Sequence, residues 1–334
     1  MTSRIAALFI LIALFPRHAA AAVARAPPAH HVSRAITSKA GLGWANGAAN
    51  DITQYLSTGK VQWYYTWSPD PVQTDIEFVP MLWGLKQTDE WDSNINKTIA
   101  AQHVTSVLGF NEPEIEGQGN LSPADGATQW KAHIEPLKGL NVRLGAPAPS
   151  GSPTGKQWVT DWLSACDGGC TVDFMPLHWY DVNSTAFIEY LEDYHNTFQK
   201  PIWVTEWACQ NFNQADRQCS LDDIVGFMNA TQSFMDSTDW VERYAWFGAM
   251  ENLQGVNQEN ALMSTSGSIT SLGEQYIGAA TPNVTSDYQP GVVHGGSGVS
   301  APSATQASSS SESRQAILWQ VVTFGTLASL FLCS

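Results

Sequence analysis

The sequence predicts a single (β/α)₈ barrel over residues 38–282, and three observations lead to this fold class. Eight short apolar runs alternate with segments of helical pattern, which is the order of elements in a parallel α/β fold. Several runs, such as 104–110 and 202–204, are apolar at both parities, as strands covered on both faces are. The predicted domain also has the usual length of such a barrel, about 250 residues. Eight strands favour a closed barrel over a doubly wound sheet.

Strands and helices alternate along the whole predicted domain. The strands are expected at 41–44, 60–65, 78–83, 104–111, 142–146, 172–180, 202–206 and 243–247. The helices are expected at 51–57, 91–102, 124–137, 156–165, 186–199, 221–236 and 269–279. Ser122 and Pro123 supply an N-cap and a first-turn proline for the helix that begins at 124. Pro80 and Pro176 fall inside predicted strands, so these two strands are expected to be bulged or shorter than drawn.

Both ends of the chain carry patterns of processing rather than of folding. Residues 1–22 have the pattern of a secretory signal peptide, and residues 23–37 form a polar leader. A Ser- and Gly-rich linker at 283–315 precedes an uncharged apolar tail at 316–334. This is the pattern of a glycosylphosphatidylinositol (GPI) attachment signal. A C-terminal membrane helix is the alternative, but no Lys or Arg follows the tail to hold it in place.

We therefore expect a secreted monomer, held at the cell surface or in the cell wall by a GPI anchor attached near residues 303–308. The formal charge of −15 becomes −17 when Arg4 and Arg17 leave with the signal peptide. An acidic chain disfavours nucleic acid and other polyanions as partners. A neutral partner is predicted instead.

The cysteine pattern indicates disulfide bonds. Of five cysteines, Cys333 lies in the tail that the attachment signal would remove. The other four allow three pairings, and the shortest loops join Cys166 with Cys170 and Cys209 with Cys219. Metal binding is the alternative, but an oxidising compartment favours disulfides. N-glycosylation sequons agree with secretion; they begin at Asn96, Asn120, Asn183, Asn229 and Asn283.

Two glutamates stand at the ends of predicted strands four and seven. Glu112 follows the apolar run 104–110, and Glu206 follows the run 202–204. Barrel enzymes keep their catalytic residues at the carboxyl ends of strands, so we interpret these two glutamates as a catalytic pair. Because Pro113 disfavours the α region for the residue before it, Glu112 is expected on extended backbone. A solvated loop position is the alternative for either glutamate taken alone.

A pair of carboxyl groups is what cleavage of a glycosidic bond requires. One group protonates the leaving oxygen, and the other acts on the anomeric side of the sugar ring. Carboxyl groups about 5 to 5.5 Å apart give retention of configuration, whereas a wider separation gives inversion. The sequence contains no nucleophile elbow, phosphate-binding loop, HExxH motif or EF-hand loop. We expect no cofactor and no metal.

The chain has 14 tryptophans, many of them near the ends of predicted strands. Flat aromatic faces cover the apolar C–H faces of pyranose rings, so sugar binding and ordinary core packing are both open for these residues. They are Trp44, Trp63, Trp67, Trp83, Trp179, Trp207 and Trp246. His178, at the end of strand six, has three possible roles: binding a sugar hydroxyl, orienting a carboxylate, or a purely structural one.

Taken in order, these motifs resemble glycoside hydrolase family 128, a family of catalytic domains found in many fungal cell-wall proteins. The matching stretches are 63–65, 78–84, 108–114, 170–174, 178–180 and 201–209, and they extend over most of residues 38–280. Two positions depart from the family pattern. Glu114 stands where the family usually has aspartate, and Trp207 stands where it usually has phenylalanine. Both departures bear on the shape of the substrate subsites rather than on the glutamate pair.

The resemblance implies a retaining hydrolase of clan A that cuts β-1,3-glucan internally. It implies that Glu112 is the acid/base, that Glu206 is the nucleophile, and that Asn111 contacts the sugar 2-hydroxyl. The residues implied to line the cleft are Trp83, His178, Trp179, Tyr180 and Trp246. Trp44 and Trp207 are further candidates for substrate binding because they lie at strand ends.

Three hypotheses about function follow. The leading one is an anchored endo-β-1,3-glucanase that acts on wall glucan. The second keeps the fold and makes the protein a glucan-remodelling transglycosylase, since another sugar can replace water in the second step of a retaining reaction. The third is a glucan-binding wall protein without catalysis; the presence of both glutamates weighs against it.

Overall fold

The computed structural model of the protein describes residues 38–102 and 104–294. The predicted signal peptide, the leader, the anchor-attachment site and the apolar tail lie outside the described residues. Within the two described ranges, no helix has both the length and the apolar character needed to cross a membrane.

Eight strands and six α-helices alternate along these residues. The strands are β1 Ala40–Gly43, β2 Trp63–Tyr65, β3 Glu77–Phe78, β4 Ser106–Val107, β5 Arg143–Leu144, β6 Met175–Tyr180, β7 Ile202–Ala208 and β8 Val241–Trp246. The helices are α1 Thr88–Gln102, α2 Pro123–His133, α3 Pro153–Cys166, α4 Ser184–Phe198, α5 Leu221–Ser237 and α6 Ser271–Tyr276. Every predicted strand is present. The first predicted helix is a short 3₁₀ turn, Ile52–Tyr55, rather than a full helix.

Parallel pairing joins the eight strands in chain order. Six of them form one sheet in the order β3-β2-β1-β8-β7-β6, and β4 pairs with β5. Between β3 and β4, a parallel bridge connects Met81 with Leu108. Between β5 and β6, a second bridge connects Gly145 with Phe174. The two bridges close the ring, so the predicted (β/α)₈ barrel is confirmed.

Pro80 accompanies a shortened strand, as expected, but the extra residue at the irregularity near Pro176 lies on β7 and not on β6. Pro80 lies just after β3, which has only two residues, and its carbonyl accepts a hydrogen bond of 2.9 Å from the amide of Leu108. Pro176 lies within β6, and the register between β6 and β7 shifts after Leu177. One proline therefore accompanies a shortened strand, and the other accompanies an irregular pairing.

Aromatic rings fill the amino-terminal half of the barrel interior. Trp203 of β7 stacks on Phe174 with ring centres 3.9 Å apart, and it contacts Trp63 of β2 at 5.4 Å. Because β2 and β7 are not neighbours in the ring, this contact passes through the interior. Gly41 and Gly145 stand opposite these rings, and a Cβ atom at either position would overlap Trp63 or Phe174. Small residues on two strands thus make room for large ones on others.

Residues 288–294, which the sequence analysis assigned to the linker, contact the outside of the barrel. The Tyr288 ring lies against Gly226 of α5, and its hydroxyl lies 2.8 Å from the hydroxyl of Ser184 in α4. His294 donates its backbone N–H to Asp223 at 2.9 Å, and its Nδ1 lies 2.6 Å from the same carboxylate. The segment therefore reaches the first turn of α5, at the end of the barrel where the strands finish.

The contact between His294 and Asp223 predicts a stability that depends on pH. The hydrogen bond to Asp223 raises the pKa of His294, and the charges of Asp223, Asp287 and Asp222 add to it. Burial alone would raise the pKa of Asp223, but hydrogen bonds from His294 and Ser220 hold it below its ordinary value. The stabilisation from charged His294 is complete below about pH 6.5 and is lost as pH rises through the raised value. The contribution of ionised Asp223 to the stability of the fold is lost only in acid, below about pH 4.

We therefore expect His294→Ala to lower the Tm at about pH 5.5 and to lower it much less at about pH 8.5. Differential scanning fluorimetry at the two pH values measures this difference. Gln289→Ala, in an exposed residue of the same segment, is the matched control. An equal loss of Tm at both pH values would show that the charge on His294 contributes nothing.

Candidate active site

The two predicted glutamates meet at the carboxyl ends of the strands. Glu112 lies just past β4, where its N–H donates to the Ala148 carbonyl at 2.7 Å. Glu206 lies within β7 and is 6% exposed. The Nδ1 atom of His178 lies 3.0 Å from Glu112 Oε1 and 3.5 Å from Glu206 Oε2. One oxygen from each carboxyl group and one histidine nitrogen lie within 4.8 Å of one another.

The backbone of Glu112 is left-handed, with a φ of 38°. The expectation of an extended backbone was wrong. Pro113 does disfavour the right-handed helical region, but the chain turns sharply here. The Ile115 amide donates to the Glu112 carbonyl at 3.0 Å, and the Gly119 amide donates to the Asn111 carbonyl at 2.9 Å. A positive φ on a residue other than glycine costs on the order of 1 to 3 kcal/mol, and such strain clusters at functional sites.

A bulge in β7 directs Glu206 into the barrel. Leu177 pairs with Val204 and His178 pairs with Glu206, so Thr205 is an extra residue on β7. Strict alternation from the inward-facing Trp203 would point Glu206 outward, towards the helices. The bulge reverses this parity and places the carboxyl group on the same face as His178. The Thr205 carbonyl accepts a hydrogen bond of 2.9 Å from the Tyr65 hydroxyl, which crosses from β2.

Two donors hold the Glu206 carboxylate. The indole N–H of Trp67 donates to Oε1 at 2.8 Å, and the Tyr180 hydroxyl donates to Oε2 at 2.6 Å. Burial raises the pKa of Glu206, and the charge of Glu112 adds to the rise; His178 and these two hydrogen bonds lower the pKa but do not cancel the rise. A 2.6 Å hydrogen bond from a phenol is the length expected for an ionised acceptor. The sequence predicted Trp67 only as a possible sugar contact, because it does not show which distant residue accepts the indole N–H. The backbone of Trp67 is left-handed, with a φ of 53°.

His178 is buried between the two carboxyl groups. Burial works against its charge, but the carboxylates of Glu206, Glu112 and Glu114 outweigh that effect and raise the pKa of His178. Its side chain is 1% exposed, compared with 13% for Glu112 and 8% for Glu206. Its contacts with both carboxyl groups fit the second of the three roles that the sequence left open, the orientation of a carboxylate. Glu112 is the more accessible member of the pair.

Among the residues that the structure describes, Glu112, His178 and Glu206 are also a group whose ligand atoms are close enough to share a metal ion. A metal at this place would have to displace the proton that the two carboxylates favour on His178. The prediction that no cofactor is used stays a prediction.

Three tryptophans predicted to bind sugar lie in the core, and for them the prediction was wrong. Trp44, Trp207 and Trp246 are 0% exposed. The Trp207 indole donates to Thr231 of α5 at 3.1 Å, and its ring packs edge-on against Trp246 at 5.0 Å. After the bulge, the parity that turns Glu206 inward turns Trp207 outward. Trp44 instead packs against Tyr55 at 6.0 Å.

The other predicted binding residues differ in position. Tyr180 faces the site through its bond to Glu206, whereas Trp179 points to α4 and packs on Tyr190 at 4.9 Å. Trp83 is half-buried and lines a surface pocket of about 210 Å³ together with Asn120 and neighbouring residues. Asn111 is 3% exposed, and its Oδ1 atom has no hydrogen-bond partner among the residues described. That acceptor is available next to Glu112.

The predicted disulfides are confirmed. Cys166 is bonded to Cys170, and Cys209 is bonded to Cys219. Cys209 directly follows β7, so the second bond closes a loop beside Glu206. Asn183 uses its side-chain oxygen to cap α4, while the remaining sequon asparagines are exposed or half-buried. These are Asn96, Asn120, Asn229 and Asn283.

Comparison with known proteins agrees with this geometry. Residues 41–276 match the family described as "Glycosyl hydrolase catalytic core". A curated relative, alkali-sensitive linkage protein 1 of Schizosaccharomyces pombe, is 32% identical over 248 residues, which cover 72% of this chain and 45% of that protein. A GH128 subgroup I endo-β-1,3-glucanase of Amycolatopsis mediterranei, solved with laminaritriose, is 29% identical, with a TM-score of 0.62 over 73% of this chain and 100% of that one.

The chain belongs to glycoside hydrolase family 128. Residues 41–276 form its glycosyl hydrolase catalytic core, as the sequence resemblance implied. Another structure of family 128, a subgroup VI exo-β-1,3-glucanase of Aureobasidium namibiae, is 27% identical, with a TM-score of 0.62 over 72% of this chain and 96% of that one. This family 128 chain spans less than half the length of its curated relative.

Proposed function

We propose that this protein is a retaining endo-β-1,3-glucanase with Glu206 as nucleophile and Glu112 as acid/base. The observation that carries the proposal is the Glu112–His178–Glu206 arrangement, in which one oxygen of each carboxyl group lies within 4.8 Å of the other. A separation this short leaves little room for a water molecule between the carboxyl groups, which supports retention over inversion. The related structures described as β-1,3-glucanases, one of them with laminaritriose, support the substrate class.

The hydrogen bonds support this assignment of the two roles. Glu206 accepts from Trp67 and Tyr180, and donors of this kind hold a carboxylate in its ionised, attacking form. Within residues 38–102 and 104–294, Glu112 has no such pair of donors, and its side chain is the more exposed of the two, at 13% against 8%. An accessible carboxyl group at the mouth of the site can approach the oxygen that links two sugars.

The reaction proceeds in two displacements. In the first, Glu206 attacks the anomeric carbon and forms an ester, while Glu112 gives its proton to the departing sugar oxygen as the C–O bond breaks. In the second, Glu112 takes a proton from water, the water oxygen attacks the anomeric carbon, and the ester bond to Glu206 breaks. Glu112 is protonated again at the end, and both carboxyl groups return to their starting states.

His178 balances charge between the two steps. Glu206 loses its negative charge when the ester forms, and Glu112 gains one when it gives up its proton. Because Nδ1 of His178 lies within 3.5 Å of both carboxyl groups, a proton on this imidazole stabilises whichever carboxyl group is ionised.

We further propose that the enzyme is secreted and GPI-anchored at the cell surface or wall. The sequence patterns at both ends and the two disulfides, which persist in oxidising compartments, support this location. An acidic protein with a net charge of −15 also suits a neutral glucan better than a charged polymer.

Incubation of purified protein with laminarin tests the function. We expect a ladder of laminari-oligosaccharides from early time points, as internal cleavage gives. A single small product from the start would contradict the endo mode, and products longer than a supplied oligosaccharide would indicate transfer. Binding of laminarin without any cleavage would contradict an enzymatic function.

A further inference from the structure

Glu114 continues the pairing of two strands beyond the point where their backbones separate. After β4 and β5, the parallel pairing extends to a bridge between Asn111 and Ala148, and Glu112 donates to Ala148 at 2.7 Å. Two residues after Glu112 and two residues after Ala148, the Glu114 carboxylate accepts hydrogen bonds from the Ser150 amide at 2.8 Å and from the Ser150 hydroxyl at 2.7 Å. A side chain thus replaces the backbone as the next connection.

The Glu114 carboxyl group is buried and depends on this contact. Its Oε2 atom has no hydrogen-bond partner within the described part of the chain. Its Oε1 atom accepts both hydrogen bonds from Ser150. Burial raises the pKa of Glu114, the Ser150 hydroxyl lowers it, and the charge of Glu112 raises it further. A Cβ atom on Gly155 would lie 3.0 Å from Oε1, so glycine there allows the carboxylate to approach the first turn of α3.

We propose that Glu114 is a positioning residue that holds the acid/base loop in its catalytic conformation and adds negative charge beside the site. This inference rests on the proposed function of Glu112. The strained backbone of Glu112, with a φ of 38°, persists only if contacts on both sides hold it. Ala148 holds the residue on its amino-terminal side, and the Glu114–Ser150 contact holds the loop two residues later.

Two variants separate position from charge. Glu114→Ala removes both contacts with Ser150, and we expect kcat to fall by about 10- to 100-fold with little change in KM, since displacement of a catalytic group by about 1 Å has effects of this size. Ser150→Ala removes one donor of two and is expected to have a smaller effect of the same kind. Glu114→Gln keeps the side chain's size and an acceptor oxygen, but removes the charge.

The loss of charge predicts a change in the pH profile. Without a negative charge beside the site, the proton needed for the first step leaves more readily. We therefore expect the basic limb of kcat/KM for Glu114→Gln to move to lower pH. A residue that merely stabilised the fold would lower the Tm and leave this limb in place.

The experiment compares kcat, KM and the pH profile of these variants on laminarin at a temperature well below their Tm values. Glu116→Ala and Glu116→Gln, in an exposed glutamate of the same loop, are the matched controls. If Glu114→Ala does not fold, Ser150→Ala and Glu114→Gln carry the test. If the wild-type protein is active and the Glu114 and Ser150 variants have the same kcat, KM and pH profile as the Glu116 controls, the inference is overturned. The proposed function would then still stand. Inactive wild-type protein would contradict the proposed function itself.

Discussion

Replacement of Glu206 by alanine is expected to reduce kcat/KM for β-1,3-glucan by a factor on the order of 10⁴ or more, since the attacking group itself is lost. Steady-state kinetics on laminarin measure the loss. Glu259→Ala, in an exposed glutamate, is the matched control and is expected to retain wild-type rates.

A small external anion can identify the role of Glu206. In Glu206→Ala, azide can enter the space left by the carboxylate and attack an activated glucoside from that side. The product should then be the α-glycosyl azide, formed with inversion. A β-glycosyl azide from this variant would instead make Glu206 the acid/base and exchange the two assignments.

Replacement of Glu112 by glutamine is the second large effect that we expect. Glutamine has nearly the same shape but cannot give up a proton, so kcat/KM for laminarin should fall by about 10² to 10⁴, the usual contribution of general acid catalysis. A substrate with an activated phenol as leaving group does not need that proton. On such a substrate the first step should be nearly normal, and the glycosyl-enzyme should accumulate because no base activates water.

A pre-steady-state burst of phenol followed by slow turnover would be the sign of this behaviour in Glu112→Gln. Glu116→Gln, on the same loop, is the control for a simple change of charge. Equal losses on laminarin and on the activated substrate would contradict a role for Glu112 as proton donor.

The fold and the meeting of Glu112 with Glu206 could be predicted because both depend on local patterns. Each strand is a short apolar run, and both Glu112 and Glu206 follow such a run directly, at the position where a strand opens onto the site. The order of eight runs then predicts that the two residues face the same end of the barrel. His178 was found for the same reason, because it ends strand six.

The direction of side chains could not be predicted, because it depends on a bulge that only the assembled barrel shows. Thr205 is the extra residue, and it reverses the parity of everything after it on β7. Sequence alternation alone gives no sign of this, so Trp207 was predicted to bind sugar and is in fact buried. The left-handed backbone of Glu112 could not be predicted either. Pro113 disfavours the right-handed helical region for Glu112, but the choice among the remaining regions depends on long-range contacts such as the hydrogen bond to Ala148.

The long-range partners of Glu206 were also beyond the sequence. Trp67 follows β2 and Tyr180 ends β6. They lie 139 and 26 residues from Glu206 along the chain, and they converge on its carboxylate only when the barrel closes. Their residue types gave a general indication of sugar binding. In the structure, both donate to the carboxylate that we propose as the nucleophile.

The configuration of the first product tests the central claim most directly. Proton NMR during hydrolysis of a laminari-oligosaccharide, recorded before mutarotation, resolves the anomeric signal of the new reducing end. Double displacement through Glu206 predicts that the β-anomer appears first and that the α-anomer grows later by mutarotation. Initial formation of the α-anomer would contradict the account, since it requires a single displacement by water.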